Sequence, residues 1–137
     1  MNSKLLEQGL QIALKQNSPT ALILDSYAEY KSQAHWSFIV QKNKLMGYGK
    51  NRQGKTFYSN FGYSIQSKIH SEHDVYKKVK GLLNQRESFE LINIRLNKRN
   101  HLRLSKPCVC CIRFLQFVGC NNVYFSTNES TFDRLRF

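Results

Sequence analysis

Ile69-His70-Ser71-Glu72-His73 and Lys106-Pro107-Cys108-Val109-Cys110-Cys111 are two short stretches whose chemistry makes sense only when they are taken together. As H-x-E and P-C-x-x-C, they offer one imidazole and two thiolates, which are ligands that zinc prefers. The predicted zinc ligands are His70, Cys108 and Cys111. Three protein ligands leave a fourth tetrahedral position open for water, as in catalytic sites. Glu72 can take a proton from that water and return it to a leaving group, so we predict one catalytic zinc per chain.

This pair of motifs, with Pro107 directly before the first cysteine, resembles the signature of the zinc nucleobase deaminases. The chain is similar to the cytidine/deoxycytidylate deaminase superfamily, which includes the tRNA adenosine deaminases and the APOBEC/AID-like polynucleotide editors. The resemblance spans roughly residues 26–127 and is concentrated at the two motifs. It implies hydrolytic deamination, in which activated water attacks the ring carbon that bears the amino group, Glu72 shuttles the proton and ammonia leaves.

The order of the predicted elements indicates a single deaminase domain over residues 1–137, with an extra N-terminal helix at about 3–15 and a shortened C-terminus. We expect an α/β layered fold, with a mixed sheet of four to five strands and helices on both faces. A fifth strand should be short or absent. The predicted strands cover 36–40, 45–48, 91–96 and 122–126, with an extended return at 102–104; the helices cover 70–83 and 107–119, and 19–33 is a helix or contains a strand at 20–24.

The side chains around the two motifs carry further predictions. Leu82 should share a buried helix face with Val75 and Val79, because the three residues follow helical spacing. Cys110 is expected to be a buried thiol beside the site, and Cys120 a core residue at the start of the last strand. His73 should lie on the helix surface or behind the ligands rather than act as a fourth ligand. On the second helix, Ile112, Leu115 and Val118 are predicted to face the core.

Positive charge is concentrated in two segments that lead into the motifs. The net charge is +12, and neither 41–60 nor 91–107 contains an acidic residue. Such clustering predicts a polyanionic partner, most simply single-stranded nucleic acid, although a solvated basic surface is the plainer interpretation. The candidate contacts to a nucleic-acid backbone are Lys50, Arg52, Lys55, Lys98, Arg99 and Arg103.

The loop over 49–69 combines three glycines with closely spaced aromatic residues, which are the ingredients of a stacking surface for a base. The same aromatics could instead fill the core or form a third strand. The candidate substrate contacts are Asn51, Phe57, Tyr58, Phe61 and His101. Asn51 stands there because relatives use an asparagine after the second strand to bind the sugar; His101 could equally be a solvated loop residue.

The resemblance also bears on the substrate, because a histidine as first ligand is similar to the deoxycytidylate, tRNA-adenosine and polynucleotide branches. With the basic segments, this favours conversion of cytosine to uracil in single-stranded DNA or RNA. The alternatives are a deaminase of free nucleotides that converts deoxycytidylate to deoxyuridylate, and adenine-to-inosine editing of RNA. A non-catalytic zinc module that binds nucleic acid is the least favoured alternative, since Glu72 has no role in a closed site.

Composition limits the setting of the protein. The hydrophobic fraction of 41% suits a folded domain, and no apolar run reaches the length of a membrane span. The first residues lack the apolar core of a signal peptide, so we expect a reducing intracellular compartment, such as the cytoplasm, and no secretion. In such a compartment, the four cysteines are expected to be metal ligands or free thiols rather than disulfides.

Overall fold

A six-stranded mixed sheet lies at the centre of the computed structural model, which describes residues 1–17, 34–53, 61 and 68–137. The strands of this sheet are β1 (Ala34–Gln41), β2 (Lys44–Lys50), β5 (Phe89–Leu96), β6 (Leu102–Arg103), β7 (Cys120–Ser126) and β8 (Phe132–Arg136). The order is β2-β1-β5-β7-β8, and β6 also pairs with β5. The β5–β7 ladder is parallel and the other ladders are antiparallel. The mixed α/β sheet agrees with the prediction, with one strand more than expected.

The hairpin of β1 and β2 has a two-residue turn. Lys42 and Asn43 both have positive φ, 53° and 57°, which is the conformation of a type I′ turn. That turn matches the right-handed twist of the flanking strands, so it fixes the register of the hairpin. The predicted strands 36–40 and 45–48 are both present and extend further at their ends.

Helix α1 (Ser3–Gln16) covers one face of the sheet. The Asn2 side chain caps the helix by accepting from the Leu5 amide at 3.1 Å. Its buried face packs with alternate residues of β1 and β5 in one apolar cluster. The side chains of that cluster are Leu5, Ala13, Trp36, Phe38, Val40, Ile92, Ile94 and Leu96. The predicted helix over 3–15 is therefore present.

Helices α2 (Ser71–Val79) and α3 (Val109–Phe117) belong to the opposite face. There Val75, Val79, Phe114 and Leu115 share a second core with Ile39 of β1 and with Phe89 and Leu91 of β5. Helix α2 lies very close to β2, because a Cβ on Gly49 would stand 2.4 Å from the Val75 backbone nitrogen. Helices thus cover both faces, as predicted.

Two predictions about helix faces need correction. Leu82 is 66% exposed, because the last turn after α2 tightens into a 3-10 helix over Lys80–Leu82 and shifts the buried position to Leu83. On α3 the buried side chains are Cys111, Phe114 and Leu115, whereas Ile112 is only half-buried. The α3 face is therefore set by Phe114, which the sequence analysis did not place there.

The remaining segments bring smaller differences. A two-residue ladder joins β3 (Arg52–Gln53) to β4 (Lys68–Ile69), so the loop between β2 and α2 has paired ends that were not predicted. The C-terminal strand β8 is present but short, as expected. The interpretation of 19–33 lies outside the described residues. None of the helices in the described ranges is long and apolar enough to cross a membrane.

Candidate active site

Three predicted ligands converge between the N-termini of α2 and α3. His70 Nδ1 lies 3.4 Å from Cys111 Sγ and 3.9 Å from Cys108 Sγ, and the three ligand atoms all lie within 4.8 Å of one another. Within the described residues they form the one group of histidine, cysteine or acidic side chains arranged to hold a metal ion.

The spacing suits a tetrahedral zinc. Zn–S bonds of about 2.3 Å and Zn–N bonds of about 2.0 Å at tetrahedral angles place N and S about 3.5 Å apart. The two N–S distances in the structure, 3.4 and 3.9 Å, bracket that value. One imidazole and two thiolates also match the donor types that zinc takes, so the His/Cys/Cys group fits a zinc site.

Local helix structure explains why these side chains meet. His70 is the N-cap residue of α2 and Cys108 is the N-cap residue of α3, so both flank the positive end of a helix. Cys108 Sγ accepts from the Cys111 amide at 3.4 Å. Hydrogen bonds from the side chain of Cys111 and from His70 lower the pKa of Cys108 to about 4, against the opposing effect of burial. A thiolate ready to bind a metal is the result.

Glu72 lies in the first turn of α2 and is 1% exposed. Asn93 Nδ2 donates to its Oε2 at 3.0 Å, and Ser71 Oγ donates to its Oε1 at 3.2 Å. Burial alone would raise the pKa of Glu72, but the electrostatic interaction with His35 and the hydrogen bonds from its own backbone amide and from Asn93 outweigh burial and hold the pKa below its usual value. Glu72 is therefore a carboxylate with a fixed orientation.

A row of buried polar side chains supports Glu72, and no sequence motif indicated it. Asn93 also donates to the Ser105 carbonyl at 3.1 Å and accepts from Ser37 Oγ at 2.5 Å. Ser37 Oγ lies 2.7 Å from Ser71 Oγ. The available signal was a single asparagine within the apolar strand Leu91-Ile92-Asn93-Ile94, since a fully buried amide needs partners.

His35 is a second residue that the sequence analysis missed. It precedes Trp36 on β1, and its Nε2 is buried without a hydrogen-bond partner among the described residues. Burial lowers its pKa to about 4, and Glu72, Arg95, His70 and Cys108 each act on its charge. A neutral imidazole therefore lies within electrostatic reach of both the metal-ligand group and Glu72.

The predicted substrate contacts have different outcomes. Asn51 receives the His35 amide on Oδ1 at 3.0 Å and donates its own amide to the His35 carbonyl at 3.1 Å, so it fastens the start of β1. Phe61 packs edge-on against Phe114 at 5.6 Å, which favours the core interpretation for this residue. His101 is exposed next to β6. Phe57 and Tyr58 lie outside the described residues.

The predicted basic contacts are spread over the surface. Arg52 is held by Asp74, with Nε 2.8 Å from Oδ1, and the Lys50 ammonium lies 5.3 Å from the Trp36 ring centroid. Lys98 and Arg99 belong to the turn between β5 and β6, and Arg103 lies in β6. Lys55 falls outside the described residues. The role of the basic residues in nucleic-acid binding stays a prediction.

The structure also shows how deeply the two remaining cysteines and His73 are buried. Cys110, in the first turn of α3, is half-buried rather than buried. Cys120 is buried at the start of β7 as predicted, and burial raises its pKa to about 12. His73 is buried rather than on the surface, with its ring edge-on to Phe114 at 4.3 Å, behind the ligand group.

Comparison with known proteins identifies the fold. No protein-family model matches the chain, and no curated protein matches its sequence significantly. Among solved structures, the chain is similar to a dCMP deaminase from the cyanophage S-TIM5, solved in complex with dCMP and dUMP. The TM-score is 0.51 at 14% identity, over 91% of this chain and 82% of the phage protein. The chain therefore has the mixed α/β fold of that deaminase.

Proposed function

We propose that this protein is a zinc-dependent hydrolase that removes the exocyclic amino group of a nucleobase, with cytosine as the preferred base. The observation that carries the proposal is the meeting of His70, Cys108 and Cys111 within 4.8 Å, with Glu72 on the first turn of the helix that His70 caps. The similarity of fold to a dCMP deaminase adds support.

Each residue would have a defined task. His70, Cys108 and Cys111 would hold the zinc, which when bound supplies a Lewis acid that activates water for attack on the ring carbon. Glu72 would take a proton at a carboxylate oxygen and deliver it to the amino group as ammonia leaves. Asn93 and Ser71 keep that carboxylate aimed, because both donate hydrogen bonds to it. Burial of Glu72 at 1% exposure would exclude competing water.

Two substrates are proposed, a nucleic-acid strand and a free nucleotide. The basic segments 41–60 and 91–107 support cytosine in single-stranded DNA or RNA as the first candidate, because polyanions are attracted to clustered cations. The second candidate is free deoxycytidylate, which is favoured by the dCMP and dUMP bound to the similar phage deaminase. A steep salt dependence of KM would favour the polymer, and a shallow one the mononucleotide.

The test is a nucleoside-level mass analysis. Zinc-loaded protein and its Glu72→Gln variant are incubated separately with single-stranded DNA, RNA and dCMP, and digested products are examined for uracil and inosine. We expect uracil products from the unaltered protein and a rate lower by about 10²–10⁴-fold with Glu72→Gln. Glu7→Gln, at an exposed position of α1, is the matched control and should leave the rate unchanged.

The outcomes separate the alternatives. Inosine in the RNA fraction would replace cytosine by adenine as the base. Product from dCMP alone would assign the protein to free nucleotides. Absence of product from all three substrates, with zinc held by four protein ligands, would overturn the catalytic proposal and leave a binding module.

A further inference from the structure

Two arginines and a histidine form a row across the sheet, on the face that packs against α2. His35 pairs with Arg95 between β1 and β5, and Arg95 pairs with Arg103 between β5 and β6. Residues that pair across antiparallel strands point to the same face. Because Asn93 and Arg95 are two positions apart, this row lies on the face of Asn93, about 7 Å further along the strand.

A cleft opens at the far end of this row. Its volume is about 490 Å³, within the usual range of small-molecule sites of about 300–1,000 Å³. Among the described residues it is lined by Arg95, Arg103, Leu104 and Asn128. Two guanidinium groups and one amide are donors that suit the oxygens of a phosphate.

The backbone of the cleft is fixed by hydrogen bonds. Ser126 Oγ accepts from the Arg95 amide at 3.1 Å and donates to the Arg103 carbonyl at 2.7 Å. Asn128 Oδ1 accepts from the Leu104 amide at 2.8 Å. The arginines therefore stand on a preorganised base, which lowers the entropy cost of binding an anion.

Charge in this region is uncompensated at Arg95. Within the described ranges no carboxylate lies within ion-pair distance of Arg95, and the whole segment 91–107 has no acidic residue. His35, which pairs with Arg95, has a buried Nε2 without a hydrogen-bond partner among the described residues, so it adds a further polar group to the same row.

We propose that the cleft of Arg95, Arg103 and Asn128 binds a phosphate of the substrate whose base is deaminated at Glu72. The link between this phosphate and deamination rests on the proposed function, since only a deaminase would place a base at Glu72. The phosphate is either the 5′-phosphate of a mononucleotide or a phosphodiester next to the target base. Both present non-bridging phosphate oxygens, which accept hydrogen bonds from guanidinium groups.

The experiment measures binding and turnover separately. Dissociation constants for dCMP, deoxycytidine and a short single-stranded DNA with one cytosine are measured by calorimetry on zinc-loaded protein. The variants are Arg95→Gln, Arg103→Gln and the charge-retaining Arg95→Lys. Arg86→Gln serves as the matched control, because Arg86 is exposed in the turn before β5. Deamination of each substrate is followed in parallel.

We expect Arg95→Gln and Arg103→Gln each to weaken binding of a phosphate-bearing substrate about tenfold or more, with deoxycytidine changed less than twofold. Arg95→Lys should recover part of the loss, and Arg86→Gln should change none of the constants. A loss confined to dCMP and the oligonucleotide together identifies the nucleotide's own phosphate. A loss confined to the oligonucleotide identifies a phosphodiester.

Two results would overturn the subsite. Equal weakening of dCMP and deoxycytidine would mean that the arginines only maintain the fold. Unchanged dCMP and oligonucleotide binding, in protein that still deaminates, would leave the proposed function standing without this cleft. Conversely, selective loss of phosphate binding in a protein with no deaminase activity would retain the cleft and reject the proposed function.

Discussion

The two faces of β1 and β5 are built from alternate residues of the same strands, yet only the face towards α2 combines apolar side chains with a cluster of buried polar ones. On the α1 side, Trp36 and Phe38 meet Ile92 and Ile94 in a purely apolar cluster. On the α2 side, Ser37 pairs directly with Asn93, and both are fully buried. The period of two along a strand lets one segment hold a purely apolar core on one face and the buried polar groups of the site on the other.

The two faces also contribute differently to stability and to the chemistry of the site. Burial of apolar surface stabilises the α1 face without directional requirements. Buried polar groups on the α2 face contribute little net free energy, but each is costly when its partner is lost. We therefore expect substitutions on one face to change stability, and substitutions on the other to change the rate.

Replacement of Phe38 by alanine should have the largest effect on stability. Phe38 is 1% exposed in the α1-side cluster, and loss of its ring leaves a cavity. We expect the free energy of unfolding to fall by about 3–5 kcal/mol, as is usual for buried phenylalanine. Urea unfolding measures the loss. The turnover of the folded fraction should change less than twofold, and a large loss of turnover would contradict the separation of the two faces.

Asn93→Ala tests the opposite face. Without the amide, Glu72 loses the donor at its Oε2 and Ser37 loses its acceptor. Outer partners of site residues typically contribute 10–100-fold, so we expect kcat to fall by about that factor. The free energy of unfolding should fall by about 1–3 kcal/mol. Steady-state kinetics with unfolding in the same buffer measures both, and a fall in KM alone would argue against a role in aiming Glu72.

Gly49→Ala tests the contact between β2 and the helix that carries Glu72. The added Cβ would lie 2.4 Å from the Val75 nitrogen, so α2 must shift. We expect a loss of about 1–3 kcal/mol, typical of overpacking. Gly81→Ala is the control, because a Cβ there has no heavy atom within 4 Å. It should be neutral or slightly stabilising, and equal losses at the two glycines would refute the packing argument.

Asp74→Asn should have the smallest effect on the free energy of unfolding, and this effect should depend on pH. Burial would raise the pKa of Asp74, but Arg52, the Lys50 amide and Lys78 outweigh it and lower the pKa. The folded-state pKa is below the unfolded value of about 3.9, so the stabilisation is present above that pH and is lost as pH falls.

We expect Asp74→Asn to cost about 1 kcal/mol at pH 7, because its cationic partners are half exposed. The difference from the unaltered protein should shrink below pH 3.9 or so, as measured by urea unfolding at several pH values. Asp133→Asn, on exposed β8, is the control with no expected change. A constant difference down to the acid range would contradict the assignment.

Sequence patterns could predict the layered fold and the grouping of His70, Cys108 and Cys111, since H-x-E, P-C-x-x-C and the alternation of apolar residues are local signals. Asn93, Ser37 and His35 could not be assigned, because their importance comes from partners far along the chain. Asn93 reaches Glu72 across 21 positions. Leu82 was placed wrongly because helical spacing holds only while the helix remains α, and the 3-10 turn at Lys80 breaks it.

The metal-ligand group also lies across the joint between two halves of the chain. His70 follows the β1–β2 hairpin, whereas Cys108 and Cys111 lie within the β5–α3–β7 unit, and the β1–β5 ladder is what brings these parts together. The chain between His70 and Cys108 spans 38 positions, so an ion bound there closes a long loop. Pairing so distant in sequence forms slowly. Metal binding would therefore be the last stage of folding. The bound ion would oppose separation of the segment that contains His70 from the segment that contains Cys108 and Cys111.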